Sequence, residues 1–413
     1  MRTEGHEKLA RSLVIVAALF LFNSAVQAQQ ILTMLPRTNA EDGHPISFMR
    51  PFYQLHYVEA DTTTGPPSSA FAPAKIRHAY GFDLVTSQGA GQAIGIVDAY
   101  DDPNAEADLA VFDTQFGLPA CTSSNGCFRK VYSNGKKPGT NANWSMEISL
   151  DVEWAHAIAP KATIVLVEAP SNSLSDLLKA VDVAVQNGAS AVSMSWVSGE
   201  FSGETSQDSH FASNSVTFFA ASGDTGNGVA YPAASQFVVG VGGTTLQLDR
   251  NGNYQTETAW NGSGGGLSSL EYEPLYQAQF GIPYDPRGKR GTPDVSYNSN
   301  PGTGYAVYDS VGINGGSGWF QVGGTSAAAP QWAALVAVAN SMRVAARKAD
   351  LASTNTILYA LAKANIATDF HAVTQGTNGS CGTMCDALVG YDYVTGLGTP
   401  SANVLIQALV AQR

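Results

Sequence analysis

The sequence predicts an α/β fold in which a mostly parallel central sheet is covered by helices on both faces. Three observations lead there. Short apolar runs alternate with helix-patterned segments between Ala93 and Ser222, as parallel strands joined by helical crossovers do. With 413 residues, 44% hydrophobic and 14% charged, the chain can bury the core of one large domain. Asp98, Trp196, Asp224 and Ser326 fall at or just past the carboxyl ends of apolar runs, where open α/β sheets collect their chemistry.

In chain order, the folded part is expected to begin at 75–82. Residues 93–97 are continuously apolar, as in a strand buried on both faces, and Asp98 follows them. Residues 104–116 read as a helix. Beyond a Ser/Asn/Gly loop carrying Cys121 and Cys127, residues 144–158 read as a helix that is apolar almost all round. Strand 163–168, helix 174–186, strand 191–196, a helix near 205–212 and strand 216–222 follow. Residues 237–248 and 254–258 read as a hairpin closed by Asp249-Arg250-Asn251-Gly252. Glycine-rich 262–269 is expected along a cleft, and turn-rich 283–317 leads to a β-branched run ending at Gly323. An Ala-rich helix, 327–342, comes next, and a Gly/Asp/Asn loop, 369–400, precedes a last short helix.

Residues 1–28 read as a signal peptide. Arg2, Lys8 and Arg11 lead, 13–22 is apolar but short for a membrane span, and Val26-Gln27-Ala28 offers a cleavage site. Residues 29–74, with their Pro, Thr, Gly and Ser, read as a leader or short pro-segment, leaving 75–413 as one domain. The mature protein is expected to be secreted or periplasmic, off the membrane and monomeric. Local disulfides Cys121–Cys127 and Cys381–Cys385 agree with export, although four cysteines allow three connectivities and zinc is a competing use. A formal charge of -12 with no basic stripe excludes nucleic acid as a partner.

The chemistry centres on Gly323-Gly324-Thr325-Ser326. A serine here sits at a strand-to-helix turn, close to helix amides that carry partial positive charge. The paired glycines let another backbone approach. The plainer role of Thr325 and Ser326 is to cap the helix. Two acidic sites favour chemistry. Glu147 and Asp151, four apart, share one helix face, an arrangement that weakens an isolated helix. In apolar surroundings the two carboxyls share a proton, one pKa being pushed up, and one can take the proton of the Ser326 hydroxyl. His156 is the rival base, but its offset from Asp151 and Glu147 turns it off the acidic face, as a structural or surface residue. Asp224, in Ser222-Gly223-Asp224, is either a turn residue or a carboxylic acid kept neutral so that it can donate to an oxyanion.

Glu147-x-x-x-Asp151, Ser222-Gly223-Asp224, Gly324-Thr325-Ser326-x-Ala328-x-Pro330 and the terminal Gly/Asp loop together resemble the sedolisin family, the serine-carboxyl peptidases, from about residue 75 onward. The resemblance implies a subtilisin-like fold with Ser326 as nucleophile, Glu147 as base and later acid, Asp151 as its orienting partner and Asp224 in the oxyanion hole. It places Asp98 and Trp196 behind these groups. It also implies one structural Ca2+, held by the Asp369 and Asp392 carboxylates and the carbonyls of Phe370, Leu388 and Gly390, with Leu388 standing where glycine is usual. The leader is short beside the folded pro-domain of family precursors. An exported acid endopeptidase acting on protein or peptide substrates is the activity implied. An esterase using the same serine and a catalytically silent, calcium-stabilised binding protein are the other two classes.

Overall fold

The computed structural model describes residues 48–56 and 65–412; the expected signal peptide and the remainder of the leader lie outside them. Two short strands come from the leader, β1 (Arg50–Pro51) and β2 (Gln54–His56), ahead of helix α1 (Pro73–Tyr80). The central sheet is built from β3 (Ala93–Ala99), β4 (Phe128–Tyr132), β5 (Thr163–Ala169), β6 (Ala191–Met194), β8 (Thr217–Ala221), β10 (Val238–Leu248), β11 (Tyr254–Ala259) and β14 (Val295–Asn298). Its order is β11-β10-β8-β6-β3-β5-β4, with β14 also on β10, and every pair is parallel except β10–β11. The fold is therefore the mostly parallel, helix-covered α/β arrangement expected from the alternation.

Strand alternation produces two cores. In β5, Ile164 and Leu166 point into one apolar cluster with Met146, Trp154 and Trp332, while Val165 and Val167 point into another with Leu177 and Val181. The first is supplied by α3 (Ala142–Ile158) and α6 (Thr325–Ala345), the second by α4 (Leu174–Gln186). Residues on successive positions of a strand face opposite ways, so a continuous apolar run requires cover on both sides.

Several elements differ from the sequence reading. The run 191–196 breaks at Ser195. There β7 (Trp196–Gly199) leaves the sheet and pairs antiparallel with β1 and with β9 (Ala230–Tyr231). The helix expected near 205–212 is a 3₁₀ segment, Glu204–Phe211. The 237–248 strand is more than a hairpin arm: Val238–Val241 pairs parallel with β8 before its end pairs with β11. Between β12 (Gly266–Tyr272) and β16 (Gly316–Gly323), the turn-rich span contains β13 (Lys289–Thr292), β14 and β15 (Tyr305–Ile313). Turn residues there masked short strands whose pairing is non-local. Helix α2 (Ala105–Phe116) is as expected, whereas α5 (Leu275–Phe280) and α7 (Thr354–Asp369) had not been singled out. The terminal loop precedes α8 (Ala402–Ala411). Among the described residues no helix is long and apolar enough to cross a membrane.

Candidate active site

Helix α3 starts cleanly because Asn141 accepts hydrogen bonds from the amides of Asn143 and Trp144, the usual work of an N-cap side chain. Glu147 and Asp151 follow on its inner face, and both are fully buried. Among the described residues neither Glu147 oxygen has a hydrogen-bond partner, nor does Asp151 Oδ2. Asp98, near the end of β3, is equally buried, and neither of its oxygens is paired among the described residues. Three carboxyls lacking enough donors cannot all ionise in a medium of low dielectric. Burial, then the charges of Asp151 and Asp98, push Glu147 well above the ordinary carboxyl range, against a downward pull from the Ser326 hydroxyl. Burial and then Asp98 do the same to Asp151, opposed by Ser195. Burial lifts Asp98 to about 8.

Ser326 lies in the first turn of α6, two residues after Gly324, whose φ of 107° favours glycine. In this state its Oγ donates to the Ser195 carbonyl at 3.3 Å; Glu147 receives no formed bond from it, although the hydroxyl is close enough to act on its titration. Pro330, inside the helix, has no amide to give the carbonyl four residues earlier. That carbonyl belongs to Ser326, and the Ser195 hydroxyl lies 3.3 Å from it and 2.8 Å from Asp151 Oδ1. Ser195 therefore ties the acidic helix to the serine turn. Sequence reasoning passed over it; the break between an apolar strand and Trp196 was the available signal.

Asp224 stands opposite. Its Oδ1 accepts from the Thr325 amide and hydroxyl, both at 2.8 Å, while Oδ2 is buried and has no partner among the described residues. Burial outweighs these two bonds and lifts its pKa to about 7. The Thr325 hydroxyl also accepts from the Gly223 amide at 3.1 Å, so Thr325 does more than cap a helix. The glycine-rich segment lies against the Ser222–Asp224 turn. Ser222 Oγ donates to Gly264 O, and a Cβ on Gly264 would meet Ser222 O at 2.0 Å. Trp196 is fully buried and its Nε1 donates to the Val97 carbonyl at 2.8 Å, beside Asp98.

His156 takes no part. It is buried, and its Nε2 faces Pro119 O at 2.9 Å and Asp113 Oδ1 at 3.3 Å. Among the described residues no histidine ring is hydrogen-bonded to Ser326, Glu147 or Asp151.

Both local disulfides are formed, Cys121–Cys127 and Cys381–Cys385, which leaves no free thiolate for zinc. In the terminal loop, Asp369 is buried with no hydrogen-bond partner for its carboxylate among the described residues, and burial raises its pKa. Such an oxygen pair fits a hard cation. Asp392 is oriented by the amides of Leu388, Val394 and Thr395 and the Thr395 hydroxyl. A second acidic group lies elsewhere: carboxylate oxygens of Asp102, Asp108 and Asp309, all buried, fall within 4.8 Å of one another.

Known proteins resemble this chain in sequence and fold. The subtilase family profile matches residues 139–358. The chain is 31% identical to kumamolisin of Bacillus sp. (strain MN-32) over 412 residues, covering 89% of this chain and 69% of that protein. It is 27% identical to sedolisin of Pseudomonas sp. (strain 101), covering 76% of this chain and 55% of that one. The solved structure of Pseudomonas sedolisin, a serine-carboxyl proteinase complexed with two molecules of pseudo-iodotyrostatin, superposes with a TM-score of 0.70 at 25% identity, over 82% of this chain and 97% of that one. A lanthipeptide protease shares the fold at a TM-score of 0.52 and 15% identity. The chain belongs to the sedolisin family, the serine-carboxyl peptidases.

Proposed function

We propose that this protein is an exported, acid-acting endopeptidase that works through an acyl-enzyme on Ser326. Glu147 takes the hydroxyl proton as Oγ attacks a peptide carbonyl, and returns it to the leaving amine. Asp151, held by Ser195, keeps Glu147 facing the serine and shares the charge. The tetrahedral oxyanion is met by the Ser326 amide and by Asp224 Oδ2 in its protonated form. Water then resolves the ester through Glu147. The observation that carries this reading is the cluster of buried, donor-poor carboxyls around Ser326, with no imidazole bonded to it. Such a cluster holds one negative charge only while protons are plentiful. The test is acid digestion of a denatured protein beside an ester substrate of similar side chain; an esterase would prefer the second, and a silent binding protein would turn over neither.

Asp224→Ala is expected to lower turnover about a hundredfold or more, the usual cost of removing an oxyanion donor. Asp224→Asn, which keeps a donor that does not titrate, is expected to lose less and to carry activity to higher pH. Steady-state rates across pH check both. An Asn variant whose profile has the wild-type alkaline limb would separate Asp224 from the oxyanion.

We also assign one structural Ca2+ to Asp369, Asp392 and the carbonyls of Phe370, Leu388 and Gly390. The ion would neutralise the otherwise unpaired Asp369 carboxylate and tie the end of α7 to the terminal loop. Chelation is expected to lower the melting temperature by several degrees, with calcium restoring it and magnesium not. An unchanged melting curve would remove the ion from the terminal loop.

A further inference from the structure

Two buried oxygens compete for the single hydrogen of the Ser195 hydroxyl. Strand β6 pairs with β3 as far as Ser193 and with β8 as far as Met194, so Ser195 stands just past the ladder, fully buried. Its Oγ lies 2.8 Å from Asp151 Oδ1 and 3.3 Å from the Ser326 carbonyl oxygen. A serine hydroxyl has one hydrogen to give and can also accept. Either the hydrogen goes to Asp151 and the carbonyl goes without, or it goes to the carbonyl and Asp151 brings a hydrogen of its own.

The costs of the two arrangements differ. Ser326 is fully buried in the first turn of α6, and Pro330 has no amide to offer its carbonyl. A buried carbonyl left unpaired is costly. Donation from Ser195 to Asp151 favours the ionised form of Asp151, but the surroundings oppose that form. Glu147 lies on the same helix, Asp98 faces both carboxyls from β3, and Asp224 acts on Glu147 from the loop after β8. Tyr53, from the segment ahead of α1, stays neutral because burial and then Glu147 raise its pKa. From α6 and β7 come Ser326 and Trp196, which carry no charge. A neutral Asp151 satisfies the whole chain of groups: its Oδ1 donates to Ser195 Oγ, and Ser195 Oγ donates to Ser326 O.

We propose that Ser195 is a positioning residue that selects which carboxyl is the base: by giving its hydrogen to the carbonyl that Pro330 leaves open, it draws the proton of the Glu147–Asp151 pair to Asp151 and leaves the charge on Glu147. The proposal rests on the reaction assigned above. Glu147 takes the Ser326 hydrogen as Oγ attacks, so that both carboxyls are neutral while the oxyanion carries the charge. When Glu147 passes that proton to the leaving nitrogen, the charge returns to Glu147. Asp151 keeps its proton throughout.

The test is a double-mutant cycle on Ser195 and Pro330, read as kcat and KM on a denatured protein across acid pH. Pro330→Ala gives the Ser326 carbonyl an amide and releases the Ser195 hydrogen to Asp151. Charge then moves from Glu147 to Asp151, and kcat is expected to fall about tenfold, the effect of one pKa unit of reordering between the two carboxyls, with KM unchanged. The acid limb of the kcat profile should move to lower pH, because the anion has gained a hydrogen bond. Ser195→Ala is expected to lower kcat at least about tenfold. Adding Pro330→Ala to Ser195→Ala should cost nothing further, since no hydroxyl remains to reorder the pair. A Pro330→Ala change that costs the same factor in both backgrounds and leaves the acid limb in place would overturn the assignment. Should Ser195→Ala fail to fold, as a melting curve would show, the acid limb and the kcat–KM split of Pro330→Ala decide alone. A wild-type chain that digests nothing, or a Ser326→Ala chain that digests equally well, would instead overturn the peptidase reading itself.

Discussion

Ser326→Ala is expected to lower turnover on a denatured protein by about 10⁴-fold or more, because removing the nucleophile leaves only binding and oxyanion stabilisation. Glu147→Gln is expected to fall nearly as far, since the two act as a unit and their losses do not add. Asp151→Asn should cost less, because in the proposed mechanism Asp151 acts through Glu147. The fold should survive the serine change: the Ser326 hydroxyl makes one long bond, to Ser195 O at 3.3 Å, and the helix around it is packed by alanines and Trp332. Circular dichroism and melting curves would separate lost chemistry from lost structure. A Ser326→Ala protein that digests at a tenth of the wild-type rate would remove serine from the mechanism.

Raising the pH from about 4 to about 8 is expected to extinguish activity and to weaken the fold at the same time. Asp98 keeps its proton to about 8 and Asp224 to about 7, both because of burial, whereas an unfolded aspartate releases its proton near 4. Between those values the native state binds more protons than the unfolded chain, so stability falls as pH rises. Below about 4 both states are protonated and the contribution is fully present; above about 8 it is gone. Each unit of displacement corresponds to about 1.4 kcal/mol per group, so the melting temperature should drop by several degrees or more across the window. Asp98→Asn is expected to flatten that drop, and chemical unfolding at graded pH would measure it. A stability that climbs toward neutrality would contradict the burial of neutral carboxyls.

Much of this was legible in the sequence because it is local. Continuous apolar runs alternating with helical periods fix parallel strands and crossovers, and the i,i+4 spacing of Glu147 and Asp151 fixes their common face. The Gly324-Thr325-Ser326 turn, followed by Pro330, is equally local. What could not be read is set by pairing between distant segments. Ser195 matters because Pro330, far along the chain, leaves the Ser326 carbonyl without an amide. The strands β13 to β15 look like turns until their partners are present. Residues 29–74 read only as a leader or short pro-segment, since Arg50 to His56 has no period of its own; its extended form comes from the edges of β7 and β16 on either side.

The most direct measurement is the pH dependence of digestion by the wild-type chain and by His156→Gln. An optimum in acid, the same in both proteins and absent in Glu147→Gln, is expected if buried carboxyls activate the Ser326 hydroxyl. An optimum near neutrality that disappears with His156 would mean that an imidazole does so instead.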